Sequence, residues 1–243
     1  MSTAPTNVQA YRASLLYFHA DPAFDEQAYA WHEDGLLLVE DGKVKAVGDY
    51  AALAPTLPPN ATVQDLRGHV ITPGFIDTHL HYPQTDMIAS PSPGLLPWLE
   101  TYTFPTERRF EDPAHARATA EFFLDELLRC GTTTAVVYCT VHPQSVDAFF
   151  EASEARNLRM VAGKVLMDRH CPDFLRDLEG GVGDSALLID KWHKRGRQLY
   201  AITPRFAPTS TDAQLRATAE LAKAYPDTFI QTHVSENKDE CKW

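Results

Sequence analysis

From residue 71 onward, apolar runs of strand length alternate with amphipathic stretches of helix length. The runs cover 74–79, 132–140, 159–167, 199–206 and 228–233. Between them, punctuation predicts helices. Asp112 suits an N-cap, Pro113 the first helical position and Gly131 the residue after the end. Stretches 144–156, 184–197 and 211–224 read alike, with Thr211 as an N-cap. Strands apolar on both faces, alternating with helices, imply a parallel sheet covered on its faces.

Two α/β architectures build such a sheet: a doubly wound sheet and a (β/α)8 TIM-type barrel. No G-x-G-x-x-G follows the first run, which weakens the dinucleotide-binding form. Polar residues gather where the runs end: His79 and His81, Thr140 and His142, Asp168, Arg205, then His233 and Glu236. Barrel enzymes place their chemistry at the C-terminal ends of several strands at once. The barrel is therefore preferred, and about five βα units make it an incomplete one. Ahead of it, residues 36–39 and 44–48 flank Asp41-Gly42, a pair suited to a type I′ hairpin turn. Residues 63–66 and 70–71 extend the β character, and Pro55, Pro58 and Pro59 mark a loop. The expected organisation is a small β-sandwich segment over 1–70 and a partial barrel over 71–243.

Composition narrows the partners. Hydrophobic residues make up 44% and charged residues 23%, an ordinary globular balance. A net charge of −11 and no basic stripe argue against nucleic acid and against anionic lipid. The four cysteines, Cys130, Cys139, Cys171 and Cys241, match no metal knuckle or disulfide framework. Residues 1–6 carry no secretory pattern and no apolar run is long enough to span a bilayer, so a cytoplasmic protein is expected.

The chemistry starts at Pro73-Gly74-Phe75-Ile76-Asp77-Thr78-His79-Leu80-His81. Alternate residues of a strand share a face, so His79 and His81 can converge on one metal ion. The H-x-H spacing is weak evidence by itself; its place at a strand end strengthens it. His233 closes the fifth run and Glu236 follows three residues on, a carboxylate suited to take a proton from a metal-activated water. Taken alone, such a pair is more often a surface feature. Arg205 and Phe206 offer a planar donor fork beside an aromatic face, and Gln84 a donor and an acceptor, which suits a flat heterocycle. The plain alternative is a salt-bridged Arg, a core Phe and a loop Gln.

These motifs resemble the amidohydrolase superfamily and, within it, the guanine deaminases. The stretch from Pro73 to His81 is similar to the superfamily's first metal strand. Trp98-Leu-Glu-Thr-Tyr-Thr-Phe-Pro105, Gly131-Thr-Thr-Thr134, Gly163-Lys-Val-Leu-Met-Asp168, Thr203-Pro-Arg-Phe206 and Thr232-His-Val-Ser-Glu-Asn237 resemble guanine deaminases specifically. The resemblance implies His79, His81 and His233 as zinc ligands, with iron as an alternative metal. It implies Glu236 as the proton shuttle and Gln84, Arg205 and Phe206 as the residues that hold the purine. The reaction it implies is hydrolytic deamination of guanine to xanthine and ammonia, by a homodimer. The superfamily's bridging lysine has no counterpart at Thr203-Pro204-Arg205, so one metal per site is expected, and Lys164 is read as structural. The family pattern also uses a later His and a later Asp, so the chain is expected to be an N-terminal portion of a longer enzyme. Rival readings are an amidohydrolase acting on cytosine or a triazine, and a non-catalytic metal-binding chain.

Overall fold

The computed structural model describes residues 8–58, 61–177 and 180–242. Pro59 and residues 1–6, both read above, lie outside them. The chain forms two compact units, Met1–Pro73 and Gly74–Trp243.

The first unit is a four-stranded sheet. Strand β1 (Val8–Phe18) pairs antiparallel with β2 (Tyr29–Glu40), which pairs antiparallel with β3 (Lys43–Asp49). Asp41 and Gly42 join β2 to β3 with φ of 50° and 75°, the two positive values a type I′ turn needs. A one-turn helix α1 (Tyr50–Leu53) follows. Strand β4 (Val63–Ile71) then returns parallel to β1, giving the order β3-β2-β1-β4. The two β segments foreseen at 63–66 and 70–71 are thus one strand. Its register with β1 shifts close to Gly68, where φ is +90°. Ala10, Leu36 and Leu38 form the buried centre of this unit.

The second unit is a parallel sheet in the order β10-β9-β7-β6-β5, and all its pairings are parallel. Its strands are β5 (Phe75–His81), β6 (Thr132–Tyr138), β7 (Arg159–Gly163), β8 (Val165–Leu166, which pairs with β9), β9 (Leu199–Pro204) and β10 (Phe229–Ile230). Helices α4 (Pro113–Arg129), α5 (Pro143–Ala155), α6 (Gly181–Trp192) and α7 (Asp212–Ala224) connect them. Two short helices precede α4: α2 (Leu95–Trp98) and α3 (Phe104–Arg108).

Sequence punctuation works as physics requires. The Asp112 side chain accepts from Ala114 N–H, and that of Thr211 from Gln214 N–H. Gly131 follows α4 at φ +82°. The run 159–167 is broken at Lys164, where the N–H donates to the side-chain hydroxyl of Tyr200 on β9 rather than to a backbone carbonyl. The last run keeps only Phe229–Ile230 as strand, but Gln231 N–H still donates to the Ile202 carbonyl and His233 N–H to that of Arg205. His233 therefore still lies beside the end of β9.

The main core packs α4, α5 and α6 on the sheet through Leu124, Phe149, Phe150, Met160, Ile189 and Trp192. A second cluster sits at the strand ends and includes Leu99, Phe104, Tyr138, Val165 and Phe206. β7 and β9 approach so closely that a Cβ on Gly163 would lie 1.8 Å from the Ala201 carbonyl oxygen, so only glycine fits there.

Candidate active site

All seven residues singled out in the sequence line one cavity of about 670 Å3 at the C-terminal ends of the strands. His79 and His81 come from the end of β5, two residues apart, and Gln84 from the 3-10 turn Tyr82–Met87 that follows. Arg205 and Phe206 follow β9, and His233 and Glu236 follow β10. Apolar side chains, among them Leu95, Trp98 and Phe123, line the rest. A cavity mostly apolar, with a few convergent polar groups, is the usual form of a small-molecule site.

The three imidazoles are a metal-type donor set. One ring nitrogen from each of His79, His81 and His233 falls within a group spanning no more than 4.8 Å. The Nε2 atoms of His81 and His233 stand 3.0 Å apart. Two nitrogens bound at their usual length to one tetrahedral ion stand about 3.3 Å apart, so this pair already approximates a chelating geometry. The Nδ1–H of His233 donates to the Arg205 carbonyl at 2.8 Å, which leaves Nε2 as the lone-pair atom facing His81. Burial pushes the His81 imidazole well below its ordinary value, with the Arg205 charge adding to the effect. Burial also lowers His233, opposed by its bond to the Arg205 carbonyl and by the Glu236 charge. Both rings are thus held neutral, the form that binds metal.

Glu236 sits on an exposed loop held from behind. Glu240, 8% exposed, accepts backbone N–H bonds from Ser235, Glu236 and Asn237 at 3.2, 2.9 and 3.2 Å. Ser235, between His233 and Glu236, has φ of 58°, a left-handed conformation that this clamp sustains.

The other strand-end residues do structural work. Asp168 accepts from the backbone N–H and hydroxyl of Thr211 at the start of α7. Thr140 bonds Ser145, tying β6 to α5. Lys164 is fully buried in an ion pair with Asp177. Three residues that sequence reasoning did not single out support the site: Tyr138, Glu107 and Glu240. Glu107 pairs with Arg205 at 2.7 Å with both side chains buried. Tyr138 closes β6, and a strand-end aromatic is the one local signal that could have exposed it.

Residues 70–243 match the pattern of the amidohydrolase family. The chain belongs to the amidohydrolase family. Guanine deaminase of Escherichia coli strain K12 is 54% identical over 212 residues, which are 87% of this chain and 48% of that protein. The solved structure of the E. coli guanine deaminase superposes with a TM-score of 0.90 at 49% identity, covering 96% of this chain and 54% of that one. Guanine deaminase from C. acetobutylicum, solved with guanine bound in its active site, superposes with a TM-score of 0.84 at 27% identity, over 96% of this chain and 54% of that one. The chain thus spans about half the length of these relatives. The amidohydrolase fold expected from the sequence is borne out by these matches. Among the described residues, no helix is long and apolar enough to cross a membrane.

Proposed function

We propose that this amidohydrolase chain serves the hydrolytic deamination of guanine to xanthine and ammonia, with one zinc ion held by His79, His81 and His233. The observation that carries the reading is the meeting of three convergent imidazoles, a carboxylate and an Arg–aromatic pair in one largely apolar cavity. The similarity to guanine deaminases, one of them solved with guanine bound, supports the same substrate. The reading takes the parallel sheet as part of a (β/α)8 barrel and the four-stranded sheet as part of a β-sandwich.

When bound, the metal supplies a water made acidic enough to attack at neutral pH. The chain's own residues do the rest. Glu236 takes a proton from the attacking water and delivers it to the ring nitrogen beside the carbon that bears the amine. The proton still on the added oxygen then passes to the amine, the carbon–nitrogen bond breaks as the carbonyl forms, and the amine leaves as ammonia. Arg205 donates to the purine carbonyl oxygen, Phe206 packs on the ring, and Gln84 reads a ring edge by donating and accepting. The half-buried His81 and His233 rings stay neutral and keep their lone pairs available.

The test is a substrate panel of guanine, cytosine and a triazine on zinc-loaded protein, followed by absorbance and ammonia release. Guanine turnover is expected, and Glu236→Gln should lower kcat by about 10²- to 10⁴-fold with one zinc per chain retained. Turnover of cytosine or the triazine with none of guanine overturns the substrate. Full activity of Glu236→Gln overturns the mechanism.

A further inference from the structure

Glu107 belongs to α3, a helix placed by an irregularity in the chain. Pro105 has no N–H and its ring would collide with the carbonyl four residues back. The preceding turn, Leu99–Thr103, widens to a π turn, in which Phe104 N–H donates five residues back to Leu99. The outcome is that Phe104 and Glu107, both buried, meet the end of β9.

There Glu107 Oε2 accepts from Arg205 Nη1 at 2.7 Å, with 1% and 3% of the two side chains exposed. The Arg205 guanidinium also stands 5.5 Å from the centre of the Phe104 ring. Among the described residues, the bond to Glu107 is the only side-chain hydrogen bond of Arg205. Its remaining donors are free for the cavity that Arg205 lines, whereas Glu107 does not line it. A guanidinium withdrawn from water needs a counter-charge, and Glu107 supplies it. It supplies direction as well: a fork held at one nitrogen presents its other donors at a fixed angle and has less freedom to lose on binding.

We infer that Glu107 is the positioning residue for substrate recognition: it locks the Arg205 guanidinium so that its free donors face the carbonyl oxygen of an oxopurine. The inference rests on the purine reading above. Glu107 acts through Arg205, so its effect is confined to ligands that carry that oxygen.

Hypoxanthine and purine separate this role from a structural one. They differ at the carbonyl position, and neither has an exocyclic amine to lose. Binding of each to the zinc-loaded chain is measured by titration calorimetry, with zinc content and thermal unfolding measured in parallel. Glu107→Gln should weaken hypoxanthine by about 10- to 100-fold, the range for a lost bond to a charged group, and leave purine within about threefold. In an Arg205→Met background, Glu107→Gln should change hypoxanthine binding no further. Should Glu107→Gln not fold, Glu107→Asp keeps the charge on a shorter arm and should give a smaller loss, again for hypoxanthine alone. Equal loss of both ligands, or a further loss in the Arg205→Met background, overturns the assignment. Hypoxanthine binding unchanged in the Glu107 variants overturns it while leaving the purine reading intact. A wild-type chain that binds neither ligand overturns the purine reading and this assignment with it.

Discussion

The ring of Tyr138 lies against that of His81, 11° from parallel, with centroids 4.4 Å apart. The same ring stands 4.5 Å from that of His233 and 5.2 Å from that of His79. One aromatic side chain at the end of β6 is therefore the floor on which all three imidazoles rest. Its hydroxyl is buried and, among the described residues, has no hydrogen-bond partner, so the ring and not the phenol oxygen supports the cluster. Tyr138→Phe should keep zinc affinity within about threefold, because no bond is lost. Tyr138→Ala should lower stability by about 3–5 kcal/mol, as for other buried aromatics, and weaken zinc by about tenfold through loss of ligand support. Chelator competition and thermal melts check both. Equal damage from the two variants would show that the hydroxyl matters after all.

The residues that touch the cavity were legible because strand ends have sequence signatures. His79 and His81 follow an apolar run, and His233 and Glu236 follow another. Their supports were not legible. Glu107 lies 98 positions from Arg205, and no local pattern marks a pair that only the folded sheet brings together. No helix is expected from the sequence over 95–108, yet the chain runs helically through Leu95–Arg108 and absorbs Pro105 by widening a turn. Asp168 shows that a carboxylate at a strand end need not belong to the cavity: its oxygens accept from Thr211 at the start of α7. Lys164 was read as structural from its place inside a strand, and its fully buried pair with Asp177 agrees.

That pair leads to a second prediction. Asp177 accepts from Lys164, from Met167 N–H at 3.0 Å and from Gln214 at 3.3 Å, tying the third strand run to α7. Burial raises its carboxyl above the ordinary value, with Lys164 pulling the other way. Desolvation thus outweighs attraction, the expected balance for a buried ion pair. Asp177→Ala leaves an unpaired buried ammonium and should cost about 3–5 kcal/mol. The double variant Lys164→Met, Asp177→Leu should recover most of that loss. Denaturant unfolding of the three proteins measures it, and a double variant no better than Asp177→Ala alone refutes the account.

The last prediction concerns acid. His193 ends α6, and its Nδ1 accepts from Tyr200 N–H at 3.0 Å, a bond that requires a lone pair on that nitrogen. Burial lowers the imidazole below its ordinary 6.5, with Lys194 in the same sense and Asp227 opposing. A histidine with a depressed folded pKa takes up its proton more readily in the unfolded chain. Its contribution to stability is therefore complete above about pH 6.5 and is lost as pH falls through the folded value. His193→Asn can offer its side-chain oxygen to the same N–H and cannot titrate. It should be less stable than the wild type near neutrality, because the ring's packing is lost, yet lose less on acidification. Denaturant unfolding of both proteins across the acid range gives the number of protons taken up on unfolding. The wild type should take up more protons than the variant as pH falls below about 6.5. Equal uptake by the two proteins would mean that Nδ1 of His193 is not the group that senses acid.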